Sequence, residues 1–169
     1  MKVVALASVH YRVADPDWVD PLDPSYAASF PGQRWNPPGL PCLYLNSDES
    51  TARANVMRFY DGLPYGPEDL DTATAPILLD VRIPPGVAAD AFTDDGLRQL
   101  GLSTSYPKDA AGDVIEHATC QPIGGAVFDA GHHGVDARSA AAGGTRELAW
   151  FPRDDVATEV QRRPFDEWW

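Results

Sequence analysis

Residues 40–60 constrain the fold of this chain more than any other stretch. Leu40-Pro41-Cys42-Leu43-Tyr44-Leu45-Asn46 is an apolar run bounded by turn formers, and Ser47-Asp48-Glu49 follows with no linker. Such a run predicts a buried strand in a central position of a sheet. Ser47 and Asp48 offer an N-cap, and Glu49 puts an acid in the first turn, where the helix dipole favours negative charge. A helix is therefore predicted from about Glu49 to Tyr60.

The remaining elements follow from shorter signals. Met1 to Ser8 carries one charge and a short apolar run, too little for a signal peptide, and reads as a first strand. Ile77, Leu79, Val81 and Ile83 alternate with Leu78, Asp80 and Arg82, the period of a half-buried strand, which Pro84-Pro85 ends. Thr93-Asp94-Asp95 before Leu97, Leu100 and Gly101 predicts a short capped helix with a left-handed stop. A further helix is predicted to start near Pro122, capped by Thr119 or Gln121, with Ile123 and Val127 one turn apart and Gly134 closing it. Val135–Arg138 and Glu147–Phe151 read as short strands flanking the glycine-rich loop 140–144. Proline and glycine also cluster at 16–24, 31–41 and 63–67, which read as loops inside one domain. The expected class is α+β, a single domain of small mixed or antiparallel sheets with short helices.

Charge narrows the partners. The 169 residues carry a formal net charge of -12, which argues against a phosphate-neutralising face for DNA or RNA. Lys2 and Lys108 are the only lysines, so cationic chemistry falls to arginine, whose planar fork grips phosphates at two points and suits a small anionic ligand. No run approaches the roughly 20 apolar residues of a membrane span, and the expected location is the cytoplasm. Cys42 and Cys120 belong to no CxxC or Cys/His ladder and read as buried apolar fillers. His132-His133 invites a metal, but adjacent helical residues diverge and no third ligand follows, so none is expected.

The most informative segment is Gly32-Gln33-Arg34-Trp35-Asn36-Pro37-Pro38-Gly39, with Tyr44 ten residues after Arg34 and Asn55 eleven after Tyr44. Together with His10-Tyr11-Arg12 upstream and Arg138-Ser139 downstream, it resembles the RES-domain family, toxins of bacterial toxin-antitoxin pairs. The family's Gly-Arg-Trp-Asn is loosened here to Gly-Gln-Arg-Trp-Asn. The resemblance runs from about Tyr11 to Phe151, is strongest over Arg34 to Val56, and leaves 152–169 as a C-terminal extension. It implies an ADP-ribosyltransferase-like fold and an enzyme that depletes NAD, its substrate rather than a cofactor. The bond between nicotinamide and ribose would break, with water or phosphate as acceptor. It also implies an Xre-like helix-turn-helix antitoxin, which would supply the DNA binding that this acidic chain lacks.

That reaction expels nicotinamide and leaves an oxocarbenium-like ribose, so a site must hold the pyrophosphate and steady a growing cation. Arg12 and Arg34 suit the phosphate clamp, against the alternative of structural ion pairing. Trp35 falls within the same binding loop. Tyr44 reads either as a wall for nicotinamide, its hydroxyl meeting ribose or amide, or as core packing. Ser139 either orients the nicotinamide amide or serves its loop, and Thr119 is a second hydroxyl candidate. Asn55 departs from the family, which carries its Glu there. Ala52, Asn55, Val56, Phe59 and Tyr60 form a helical stripe, so Asn55 either lines a ligand site or is a satisfied core amide. Val13, where some relatives carry Tyr, is a second departure. Glu49, about 9 Å along the helix axis from Asn55, is a candidate compensating acid. Glu116-His117 and Glu147 are polar groups that no motif ties to the reaction. Two other readings follow: a silent NAD-binding or partner-binding module, and transfer of ADP-ribose to a protein.

Overall fold

A computed structural model of the chain describes residues 1–142 and 144–169, so Gly143 of the glycine-rich loop lies outside the described residues. The strands are β1 (Val3–Ala5), β2 (Val9–Ala14), β3 (Leu43–Asn46), β4 (Ile77–Arg82), β5 (Val87–Ala91), β6 (Gly134–Arg138), β7 (Arg146–Trp150) and β8 (Thr158–Arg163). The helices are α1 (Ser25–Ala28), α2 (Glu49–Tyr60), α3 (Asp94–Gln99), α4 (His117–Asp129) and α5 (Phe165–Trp168). The described residues thus make one α+β domain, in which the strands join a single mixed sheet of order β1-β5-β6-β7-β3-β2-β4-β8. Among the described residues only β5 and β6 pair in parallel, across the connection that contains α3 and α4.

The strand-to-helix junction forms as its residues dictate. β3 lies inside the sheet between β7 and β2, and Asp48 caps α2 by accepting the Thr51 N–H at 2.8 Å. Ala52 and Val56 bury the inner face of α2 against Leu78, Phe165 and Trp168. Phe59 departs from the expected buried stripe, for it is 78% exposed.

Three other expectations change. β4 is covered on both faces rather than half-buried: Leu79 and Val81 join one apolar cluster, while Leu78 joins the cluster beneath α2 and α5. Helix α4 starts at His117, so Pro122 is interior and Thr119 and Gln121 are not caps. Proline there forfeits one backbone bond, to the Ala118 carbonyl, while Cys120, Gly124 and Val127 keep their buried stripe. Gly131, with φ 87°, ends α4, and Gly134 instead opens β6.

Residues 152–169 close the sheet edge. β8 pairs with β4, Phe165 and Trp168 are buried, and the Trp168 indole N–H donates to the Pro76 carbonyl at 3.0 Å.

Candidate active site

In the antiparallel pair of β3 and β7, Asn46 stands opposite Glu147 and Tyr44 opposite Ala149. Paired residues project from the same face, so these four share one side of the sheet. Leu43, Leu45, Leu148 and Trp150 project from the other side into an apolar cluster. Asn55 of α2 reaches the polar face, where its Nδ2 donates to Asn46 Oδ1 at 2.7 Å and to Glu147 Oε1 at 2.9 Å. Only the NH2 end of an amide satisfies two acceptors. Asn46 is itself oriented, its Nδ2 donating to the Tyr11 carbonyl at 3.1 Å.

Ser139, just past β6 and 1% exposed, donates to the same Glu147 Oε1 at 2.5 Å. Its Oγ accepts the Ala141 and Ala142 N–H groups at 3.1 Å each. Glu147 is thus held through one oxygen from two sides, while Oε2 has no partner among the described residues.

The wall beside this floor is the loop 32–39. The Tyr44 hydroxyl accepts the Trp35 N–H at 2.8 Å and donates to Asn36 Oδ1 at 2.9 Å, and Asn36 Nδ2 donates to the Ala27 carbonyl at 2.7 Å. Trp35 is 3% exposed and packs on Tyr106. Its backbone carbonyl lies against α4 at Gly124, where an added Cβ would come within 1.6 Å of it. Arg34, half-buried, is steadied by one bond from Nη1 to the Ile115 carbonyl at 2.6 Å.

Arg12 occupies a split in the sheet. β2 pairs along its length with β4, but among the described residues it meets β3 only at Tyr11 and Asn46. Beyond that point Arg12 Nη1 takes the free Tyr44 carbonyl at 3.1 Å and Nε the Pro21 carbonyl at 2.6 Å.

Two joined lobes open over this floor. One, about 370 Å³, is lined by Arg34, Trp35, Arg58 and His117; the other, about 500 Å³, by Arg12, Trp18, Tyr26 and Asn46. Gln33, Tyr44, Asn55, Phe59 and Glu147 line both. An open hollow of about 860 Å³ continues past Arg58 towards Tyr60 and Tyr65. The lobes carry Arg12, Arg34 and Arg58 with one acid, Glu147, on a chain of net charge -12. Burial, then Arg34 and Arg58, lower the His117 pKa below the usual histidine value, so it stays neutral near pH 7.

The RES domain model matches residues 9–169. The chain belongs to the RES domain family. Among solved structures it is similar to the crystal structure of the M. tuberculosis MbcT-MbcA toxin-antitoxin complex, with a TM-score of 0.75 at 20% identity. That match covers 96% of this chain and 86% of the other, and at such identity it speaks for the fold. No curated protein matches the sequence.

The RES domain fold brings Arg12, Arg34, Trp35, Tyr44 and Asn55 to one cleft, although they come from β2, a loop, β3 and α2. Several of these side chains also hold the site together. The Tyr44 hydroxyl holds the loop, and Tyr44 lines both lobes. Trp35 anchors the loop in the core. Ser139 sits behind Glu147 and grips it. Glu49 is no substitute acid, because it pairs with Arg163 at 2.6 Å and Arg53 at 3.5 Å.

Arg58 carries no motif in the sequence, and Glu147 is named there without a role, yet both line the cleft. The signal for Glu147 is a polar residue on the alternate face of a predicted strand whose other face is apolar, and that signal gains meaning only when the register sets it beside Asn55. The buried Cys42 and Cys120 are free, and burial pushes both thiols up. Among the described residues no group of three His, Cys, Asp or Glu could hold a metal, and no helix is long and apolar enough to cross a membrane.

Proposed function

We propose that this RES domain breaks the bond between nicotinamide and ribose in NAD, acting in the cytoplasm as the toxin of a toxin-antitoxin pair. One observation supports the reading above others: a strongly acidic chain keeps a cleft whose walls present Arg12, Arg34 and Arg58. Local positive potential inside a negative molecule selects a small polyanion. Arg12 and Arg34, one in each lobe, are the pyrophosphate clamp, and the Tyr44 ring is the wall beside the nicotinamide ribose. NAD enters as substrate, and no cofactor is required. When the C1′–N bond breaks, its electron pair leaves with nicotinamide, and an oxygen of water or phosphate bonds to C1′.

The partner in this reading is an Xre-like helix-turn-helix antitoxin, consistent with the complex named for the structural neighbour. Phe59 at 78% exposure, with Met57, Trp18 and Tyr26, forms an apolar rim that a protein partner would cover.

Purified protein incubated with NAD, with and without phosphate, tests the proposal. Nicotinamide release is expected, and folded protein that releases none under either condition rejects both hydrolysis and phosphorolysis. Calorimetric binding of NAD without turnover would instead identify a silent binding module, the reading that Asn55 motivates. Label retained on a macromolecule would identify ADP-ribose transfer to protein.

A further inference from the structure

We infer that Glu147 is the catalytic carboxylate of this site, with Asn55 and Ser139 as its positioning residues. The inference rests on the NAD-cleaving reading and adds to it the group that steadies the ribosyl cation.

Three observations carry it. Glu147 is the one acid among the described residues lining the two lobes, and it lines both. It forms no ion pair among the described residues, unlike Glu49, which is bound by Arg53 and Arg163. Its Oε1 is fixed by Asn55 Nδ2 at 2.9 Å and Ser139 Oγ at 2.5 Å. Neutral donors fix the geometry without cancelling the charge, and Oε2 is left to meet a ligand.

The chemistry needs such a group. As the C1′–N bond lengthens, its electrons move to the departing nicotinamide and positive charge grows on C1′ and the ring oxygen. A carboxylate held in a partly closed cleft stabilises that charge with little reorganisation. It forms no bond to the sugar. Water then bonds to C1′ and releases its proton to solvent, or phosphate bonds through one of its own oxygens. On this view the amide at position 55 costs the site no charge, because Glu147 of β7 supplies a carboxylate within hydrogen-bonding distance of it.

The experiment compares nicotinamide release and calorimetric NAD binding for the unmodified chain, Glu147→Gln, Asn55→Ala and the exchange variant Asn55→Glu/Glu147→Asn. Glutamine keeps an acceptor for Asn55 and Ser139, so Glu147→Gln is expected to fold and bind NAD normally while kcat falls by about 10²- to 10³-fold. The exchange variant, which returns a carboxylate to the same corner, is expected to exceed Glu147→Gln in kcat at least tenfold. Asn55→Ala is expected to lower kcat with KM little changed. An active unmodified chain with Glu147→Gln equal to it in kcat overturns the role of Glu147 and leaves NAD cleavage standing. An unmodified chain that releases no nicotinamide overturns both. If Glu147→Gln does not fold, the exchange variant decides: kcat within tenfold of the unmodified chain supports the role, and a folded exchange variant without activity overturns it.

Discussion

The Tyr44 hydroxyl donates a 2.9 Å hydrogen bond to Asn36 Oδ1 while accepting the Trp35 N–H, so one phenol on β3 pins the loop that carries Arg34. Tyr44→Phe leaves both partners unsatisfied in a buried setting, at a cost of about 1–3 kcal/mol. Thermal unfolding should show a Tm lower by about 2–4 °C for each kcal/mol. Steady-state kinetics should show KM for NAD rising more than kcat falls, because the displaced group is the phosphate clamp.

The two arginines should respond differently to removal. Arg34 makes one backbone bond and is half-buried, so Arg34→Ala should fold normally and bind NAD about 10- to 100-fold more weakly, the worth of lost charge-assisted bonds. Arg12 fills the split between β2 and β3 with two bonds to backbone carbonyls. Arg12→Ala should therefore also lose stability, by about 2–3 kcal/mol. Calorimetry and thermal melts on both variants separate the effects, and unchanged NAD affinity in Arg34→Ala would contradict the clamp.

Gly124 and Gly125 form a matched pair. Alanine at 124 would drive its Cβ into the Trp35 carbonyl, whereas among the described residues nothing lies within 4 Å of a Cβ at 125. Gly124→Ala should cost about 3 kcal/mol, since a backbone clash is not relieved by a rotamer change. Gly125→Ala should stabilise by about 0.5–1 kcal/mol through helix propensity. Chemical denaturation measures both.

Acid should weaken the fold in two stages. Burial lowers the His10 pKa to about 4 from its ordinary 6.5, and its Nδ1 has no partner among the described residues. The unfolded chain therefore takes a proton first. Stability is complete above pH 6.5, declines as pH falls towards 4, and by then has lost on the order of 3 kcal/mol. Burial opposes ionisation of Asp48 and Asp90, but hydrogen bonds outweigh it: those from Ser50, Thr51 and Ser47 hold Asp48 at about 2, and those from Thr93, Lys2 and Phe92 hold Asp90 at about 2. Their contribution is present above 3.8 and is lost as pH falls through 2. His10→Gln should flatten the first stage and leave the second, as read by stability against pH.

What could be read from the chain follows the range of the physics involved. The β3–α2 junction was legible because strand, cap and helix signals are local, as were the Thr93 cap and the Gly101 stop of α3. β5 escaped because Val87-Ala88-Ala89-Asp90-Ala91 has little strand propensity and is a strand through its pairing with β1 and β6. Pro122 carries the local signal of a helix start, whereas packing of Cys120 and Gly124 carries α4 through it. In the site, Arg12, Arg34 and Tyr44 are legible through their resemblance to a family pattern, whereas Arg58 carries no such signal. The partnership of Asn55 with Glu147 spans 92 positions and arises only from sheet register, so no local signal announced it.

The most direct measurement is a crystal structure of Glu147→Gln with NAD bound. The diphosphate oxygens should lie within hydrogen-bonding distance of the Arg12 and Arg34 guanidinium groups, with the nicotinamide ribose beside Tyr44 and its C1′ facing residue 147. A dinucleotide bound elsewhere, or one whose C1′ points away from that side chain, would contradict the reading of this cleft.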